Sequence, residues 1–282
     1  MSAWRAALEQ SVGSKIASVR ALGGGDINEA YAVALADGRA LFVKTRQGAP
    51  PAMYAREASG LRWLAEARAL RVPEVIAEHD TFLALEMIEG GRKARDHDEA
   101  LGRGLARLHR HGAPSFGLAQ DNFIGSLPQP NTPASDWPRF YGERRLLFQL
   151  RMAIDRGRAS ARLESGIERV VARLPSLVGP SEPPSRLHGD LWAGNAHADE
   201  QGRPVLIDPA VYGGHREIDL AMMKLFGGFS DRVFAAYDEE HPLESGWQDR
   251  IPLYQLYPLM VHVNLFGGGY ASSVERIVER WR

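Results

Sequence analysis

Three residues in one stretch carry groups that phosphoryl chemistry uses. Asp190, Asn195 and Asp208 all lie between Leu187 and Asp219, in LHGDLWAGNAHADEQGRPVLIDPAVYGGHREID. Asp190 and Asn195 are five residues apart on a Gly-containing loop, and Asp208 follows Asn195 by 13 residues. The apolar run Val205-Leu206-Ile207 stops abruptly at Asp208-Pro209, which reads as a short strand delivering a carboxylate to a cleft. A carboxylate such as Asp190 can orient and deprotonate a hydroxyl, while an Asn and a later Asp can hold Mg²⁺ on phosphates. A His-Gly-Asp turn by itself is ordinarily a turn with a hydrogen-bonding Asp. Asn195 and the strand-terminal Asp208 are what turn it into a candidate catalytic loop.

Two more charged residues fit the same chemistry from a distance. Lys44 closes the apolar β run Leu41-Phe42-Val43. Glu57 lies 13 residues later, inside a helix expected over Ala52–Ala69. In protein kinases a strand Lys grips the nucleotide phosphates and a helix Glu holds it. The kinase catalytic loop also has the Asp-to-Asn spacing of five and a later metal Asp, there followed by Phe-Gly where this chain has Pro209. Upstream, Gly23-Gly24-Gly25-Asp26-Ile27-Asn28 is a Gly-rich turn between strands. Missing Cβ atoms would let its backbone N–H groups approach phosphates.

These groups need a frame. Trp4–Val12 reads as a short amphipathic helix. Strands are expected at Ile16–Leu22, Ala30–Leu35 and Ala40–Thr45, with Asp37-Gly38 as a hairpin turn, and at Val75–Glu78 and Thr81–Met87. Glu86-Met87-Ile88-Glu89-Gly90-Gly91 leaves the last strand as a hinge whose backbone could hold adenine. This divides the chain into an N-terminal ATP-binding lobe, 1–89, and a catalytic and substrate-binding lobe, 90–282.

The second part reads as mainly helical: Glu99–Arg110, a helix from Asp136 to about Arg156, and Ile167–Leu174. The Pro-rich stretch Phe116–Asp136 between the first two reads as a long functional loop. Asp219 opens a further helix and is expected to buttress the catalytic loop from behind. Phe226-Gly227-Gly228-Phe229 breaks that helix. Trp247–Phe266 should be broken or kinked at Pro252 and Pro258, Gly267-Gly268-Gly269 ends it, and Tyr270–Trp281 is a last helix. The fold class expected is α+β and bilobal: a small antiparallel sheet with one key helix, then a larger helical lobe.

Composition narrows the partners. The chain has 282 residues, 44% hydrophobic and 24% charged, with a net charge of -1. That is ordinary globular composition and gives no field for binding polyanions, so nucleic acid is not expected. There is no Cys, hence no disulfide framework and no thiol chemistry. MSAWRAALEQ is too polar for a signal peptide, and no 18-residue apolar run exists to span a membrane. A cytoplasmic protein, with a monomer favoured, is the expectation.

The chain resembles the fructosamine kinase (ketosamine-3-kinase) family of the protein-kinase-like superfamily, which includes aminoglycoside and choline phosphotransferases. The resemblance runs nearly end to end. It rests on Gly24-Gly25-Asp26-Ile27-Asn28, Phe42-Val43-Lys44, Asp121-Asn122-Phe123-Ile124-Gly125 with Pro128-Gln129, Glu143-Arg144-Arg145 and His188 to Asn195. It continues through Ile207 to Tyr212, Gly214-His215-Arg216-Glu217, Phe226 to Phe229 and Asn264-Leu265-Phe266-Gly267-Gly268-Gly269. It implies ATP-dependent phosphorylation of the 3-hydroxyl of a ketosamine, free or on a protein Lys, after which the phosphate is eliminated and the amine freed. The chain departs from the family at Ala193, where Ser is common, and at Gly213, where a second Tyr is common. It also lacks the phosphate-loop Cys that gives some members a redox-sensitive dimer.

The roles then follow. Asp190 is the base, and Asn195 and Asp208 hold Mg²⁺. ATP is held by Gly24, Gly25, Asp26, Ile27 and Asn28, by Lys44 oriented by Glu57, and by the hinge Glu86, Met87 and Ile88. His188 and Asp219 are structural. A ketosamine needs a flat apolar wall with polar groups around it, so Trp192 is expected to stack on the sugar, with His215, Arg216 and Glu217 at the rim and Tyr212, Asp121 and Asn122 contributing. The amine end should face solvent. Two rival readings are a phosphotransferase for another alcohol, such as an aminoglycoside or a choline-like molecule, and a non-catalytic nucleotide-binding module.

Overall fold

The computed structural model describes residues 3–23 and 28–282. Helix α1 (Ala3–Val12) precedes β1 (Ile16–Leu22), β2 (Glu29–Leu35) and β3 (Ala40–Thr45). Helix α2 (Met53–Glu66) then leads to β4 (Val75–His79) and β5 (Phe82–Glu86). The five strands form one antiparallel sheet in the order β1-β2-β3-β5-β4. Asp37-Gly38 makes the β2–β3 turn, with Gly38 at φ 91°.

Strand alternation divides this sheet into two faces. Leu41, Val43, Phe82 and Ala84 pack with Trp4 and Leu8 of α1. Leu83 and Leu85 pack with Tyr54, Ala58 and Leu61 of α2, and Phe42 joins them. Lys44 shares the face of Phe42, so the register that buries Val43 under α1 aims Lys44 at α2.

The remainder is mainly helical. Helix α3 (His97–His111) is followed by a short hairpin, β6 (Asn122–Ile124) and β7 (Leu127–Gln129), inside the stretch expected to be an open loop. The next helix begins at Asp136, whose side chain accepts from Arg139 N. It runs as α4 (Trp137–Phe140), one wider π-type segment at Tyr141–Leu146, and α5 (Leu147–Asp155). The wider turn carries Arg145 inward, where it is fully buried. After α6 (Ala161–Leu177) come β8 (Ser185–Leu187), β9 (Ala196–Ala198), β10 (Pro204–Leu206) and β11 (Tyr212–Gly214). Strand β9 pairs with β10, and β11 pairs with β8.

Helices α7 (Glu217–Leu225), α8 (Asp231–Glu240), α9 (Trp247–Phe266) and α10 (Tyr270–Val278) complete the chain. Helix α8 has no counterpart among the helices expected from the sequence, and α9 is one helix despite Pro252 and Pro258. Its Pro residues are tolerated because ten of its residues are buried in the core, so tertiary packing outweighs the lost backbone bonds. The core of this half is built on Trp137, Phe140, Tyr141, Tyr212, Tyr254 and Tyr257 with aliphatic neighbours. The fold is the α+β, two-part arrangement expected from the sequence.

Candidate active site

Strands β8 to β10 and the loops joining them bring the chemistry together. His188, Gly189 and Asp190 follow β8, Asn195 precedes β9, and Asp208 follows β10 by one residue. The His188 and Gly189 backbone N–H groups donate to the two oxygens of Asp219, at 2.8 and 2.9 Å. His109 Nε2 lies 3.1 Å from the same carboxylate. The His188 ring is buried, with Nε2 2.9 Å from Ile207 O, and burial holds its imidazole below the ordinary value. Nδ1 therefore remains to accept from Asp190 N at 3.3 Å. Gly189 takes φ 84°, and a Cβ there would collide with the Ala210 carbonyl. Only glycine suits this position.

Asp190 faces Asn195 and Asp208. Asn195 Nδ2 donates to the Asp190 backbone carbonyl at 2.8 Å and to its carboxylate at 3.3 Å. Burial, then the negative charges of Asp208 and Asp219, push the Asp190 carboxyl up to about 7. Lys44 Nζ donates to Glu57 at 2.6 Å and also pairs with Asp208. Burial works against its charge, but Glu57 and Asp208 outweigh that and hold Lys44 above its usual value. Burial in turn raises Glu57, against the opposing pull of Lys44. Asp208 sits at φ 54°, a left-handed conformation that costs a non-glycine residue energy and is maintained by its surroundings.

The Asp208 carbonyl lies 3.4 Å from Asn195 Nδ2, and Ala210 and Val211 just beyond it are held by a buried polar network from the β6–β7 hairpin. Asn122 Nδ2 donates to Val211 O at 2.9 Å and Gln129 Nε2 to Ala210 O at 3.1 Å. Asn122 Oδ1 accepts from both Gln129 and Asn131. Asn131 in turn accepts from Arg145 at 2.7 Å, and Tyr257 donates to Gln129 at 2.5 Å. The Arg145 guanidinium faces no carboxylate in this network. It lies 3.9 Å from the Tyr212 ring centroid and 4.6 Å from that of Phe140.

A cavity of about 440 Å³ opens over this centre. Lys44, Glu57, Asp190, Trp192, Asn195 and Asp208 all line it, and Asn28 and Asn122 join them. Trp192 is 42% exposed. Its ring lies across Gly194, where a Cβ would strike it. The cavity also reaches residues to which the sequence analysis gave no role: Phe226, His262, Phe266 and Tyr270. The FGGF and NLFGGG segments were the signal for Phe226 and Phe266; His262 and Tyr270 had none.

Other expected site residues lie elsewhere. Gly24, Gly25, Asp26 and Ile27 fall outside the described residues. His215, Arg216 and Glu217 do not form a rim. They are buried and absent from the cavity wall. Arg216 Nη2 donates to Glu182 at 2.6 Å, and Arg250 Nη2 donates to Glu217 at 2.6 Å. The physical reason is that β11 returns to pair with β8, which turns the residues after it into the helical core. Tyr212 goes the same way: it is fully buried against Arg145 and Phe140 rather than open to a substrate. The Asp121 carboxylate accepts from Asn131 N at 2.7 Å and holds the loop. The Glu86 carboxylate is engaged by Arg71 Nη2 at 2.6 Å, and Met87 and Ile88 do not line this cavity.

The donor set at the centre suits a hard cation that arrives with phosphates. It offers the Asp208 carboxylate and the Asn195 amide oxygen, whose nitrogen is already committed to Asp190. Among the described residues no group of three or more His, Asp or Glu could cage a metal unaided. Mg²⁺ is ordinarily held this way, by one or two side chains plus phosphates and water.

Comparison with known proteins agrees with this arrangement. The sequence pattern of the family described as Fructosamine kinase matches residues 1–281. A ketoamine kinase candidate from Enterococcus faecium is 39% identical over 263 residues, covering 92% of this chain and 93% of that one. The chloroplastic protein-ribulosamine 3-kinase of Arabidopsis thaliana is 38% identical over 279 residues, covering 96% and 85%. The crystal structure of a fructosamine-3-kinase candidate from Thermobifida fusca superposes with a TM-score of 0.91 at 42% identity, covering 99% of each chain. With the His188–Asn195 loop, the buried Lys–Glu pair and the matching whole-chain pattern all in place, this chain belongs to the fructosamine kinase family.

Proposed function

We propose that the chain transfers the terminal phosphoryl group of ATP to the 3-hydroxyl of a ketoamine, freeing the amine once the phosphate is eliminated. The observation that carries this reading is one cavity that holds the Asp190 carboxylate, the Lys44–Glu57 pair, the Asn195–Asp208 donors and an exposed Trp192. Bound ATP with Mg²⁺ supplies the phosphoryl group and neutralises its developing charge. Lys44 is the residue placed to grip the phosphates, with Glu57 fixing its position. Asn195 and Asp208 hold the metal. Asp190 orients the acceptor hydroxyl and takes its proton, and a carboxyl held near 7 is matched to that task at neutral pH. His188 and Asp219 keep the loop backbone in place.

In this reading residues 1–89 are the nucleotide lobe and 90–282 the acceptor lobe, and the Met87–Ile88 backbone would meet adenine only where ATP extends beyond the cavity wall. Trp192 is the platform for the sugar, offering an exposed face beside the base. Ketoamines on small amines and on protein Lys are the substrates, and a monomer in the cytoplasm is the working state. No described helix is long and apolar enough to cross a membrane.

ATP turnover against ribulosamine, fructosamine and free sugars, followed by amine release, tests the reading. ATP-dependent loss of a ketoamine, abolished in Asp190→Ala, is the expected outcome. Phosphorylation of free sugars or other alcohols in place of ketoamines would refute it.

A further inference from the structure

Among the described residues only four large hydrophobic side chains are exposed: Ile154, Trp192, Phe226 and Phe266. Three of the four line the catalytic cavity. Phe226 is 43% and Phe266 50% exposed. Both flank His262, with ring centroids 5.0 and 5.5 Å from its own, and Tyr270 stands on it at 4.9 Å. The wall continues directly from Trp192, because Gly228 comes so close to Ala193 that a Cβ would crowd it.

Charge is distributed unevenly around this cavity. Its carboxylates, Glu57, Asp190 and Asp208, sit at the reacting centre, and its cations, Lys44 and Arg56, come from β3 and α2. The wall from Met222, Phe226, Val261, Leu265, Phe266 and Tyr270 contributes no charged side chain. His262 does not change this. Its Nδ1 is committed to Pro258 O at 2.7 Å, and burial holds its ring below the ordinary value. Exposed aromatic surface persists where a ligand covers it during function. A sugar on Trp192 with its hydroxyl at Asp190 leaves its nitrogen substituent as the part that can lie along this wall.

We propose that Phe226 and Phe266, with Tyr270, form a subsite for the substituent on the ketoamine nitrogen, selecting groups that are apolar and uncharged over their first several carbons. This rests on the kinase reading above. Alkyl and aryl amines fit it, and so does the methylene stem of a Lys side chain. An adduct on the α-amino group of a free amino acid does not fit, because it places a carboxylate one carbon from the nitrogen. The wall residues carry no cation, and Arg156 and Arg158, the described cations at its Phe266 end, are committed to the Val263 and Asn264 carbonyls.

The test is a series of ribulose adducts of methylamine, propylamine and pentylamine, with the glycine adduct for comparison. In the unaltered protein kcat/KM should rise about twofold to fourfold per added methylene, mainly through KM, as expected for partial to full burial of each group. The glycine adduct should fall below the methylamine adduct. Phe226→Ala with Phe266→Ala should flatten the series, and Phe266→Leu, which keeps apolar surface, should retain most of the slope. Both positions are exposed, so folding is not at stake. One rate for all adducts in the unaltered protein, or an unchanged slope in the double variant, would overturn this inference alone. No ATP-dependent turnover of any adduct would overturn the kinase reading and the inference with it.

Discussion

Asn195 donates its Nδ2 hydrogens to Asp190 twice over, at 2.8 Å to the backbone carbonyl and 3.3 Å to the carboxylate. One amide thus sets both the turn of the His188–Asn195 loop and the aim of the Asp190 carboxylate. Asn195→Asp would place a second negative charge against Asp190 and remove the donor. Turnover of ketoamine should fall by about 10²-fold or more, and the Mg²⁺ concentration needed for half-maximal rate should change with it. A Mg²⁺ titration of the variant checks both. Unaltered kinetics would remove Asn195 from the metal and loop roles together.

Among the described residues Lys44 is the only cation paired with both Glu57 and Asp208. Lys44→Met leaves those two carboxylates facing one another across the cavity. The expected result is a raised KM for ATP and a loss of about 10²-fold or more in kcat, as for removal of one preorganised stabilising group. Glu57→Gln keeps a hydrogen-bonding oxygen for Lys44 and should lose less. Separate KM values for ATP and ketoamine decide the matter. A change confined to ketoamine would place Lys44 with the acceptor instead.

Asp219 is fully buried and accepts from two backbone amides and His109. Burial alone would raise its carboxyl, yet the His109 hydrogen bond and nearby charges hold it below the usual range. Asp219→Ala strands these donors in the interior, at about 3 kcal/mol or more of stability. Asp219→Asn, with one acceptor oxygen, should be intermediate. Denaturant unfolding gives the stability, and residual kcat reports how far the His188-Gly189-Asp190 loop has drifted. A variant of near-normal stability and rate would show that the loop holds itself.

Acid sensitivity has a definite source in His215. Burial, against Glu182 and with Arg216 and Arg250 nearby, lowers its imidazole to about 4. The native ring therefore stays neutral where the unfolded one gains a proton. Its contribution is fully present above the unfolded value near 6.5 and is lost as pH falls toward 4, amounting to about 3 kcal/mol at most. His215→Asn should be less stable at pH 8, where the stacking on Tyr254 at 5.3 Å is lost, but should show a shallower decline between pH 6.5 and 4. Equal slopes in the two proteins would assign the acid response to other groups.

The sheet was legible because its strands alternate and its turns carry Asp-Gly and Gly. Lys44 was legible because it closes an apolar run and Glu57 follows it by 13 residues on a helix; the face of β3 that carries it is a finding of the structure. The candidate catalytic loop was legible because its groups are neighbours in sequence. Direction was not. Nothing in Tyr212–Glu217 says that β11 folds back on β8, so residues adjacent to a catalytic stretch were read as its rim when they are core. The β6–β7 hairpin is three residues a side and held by amide side chains, too short for periodicity to reveal. The wall from Phe226 and Phe266 comes from segments far down the chain, and only the packing of α7, α9 and α10 brings it to Asp190.

Arg71 binds Glu86 at the end of the sheet and Asp199 in the turn between β9 and β10, and its carbonyl accepts from Leu206 N at 2.9 Å. Gly91 N donates to Ala198 O at 3.1 Å. The same hairpin is gripped at its far end, past Asp208, by Asn122 and Gln129 from the helical half. It is therefore stitched into both halves. Melting of either half removes contacts from the segment that carries Asn195 and Asp208, so on heating turnover should be lost with whichever half unfolds first.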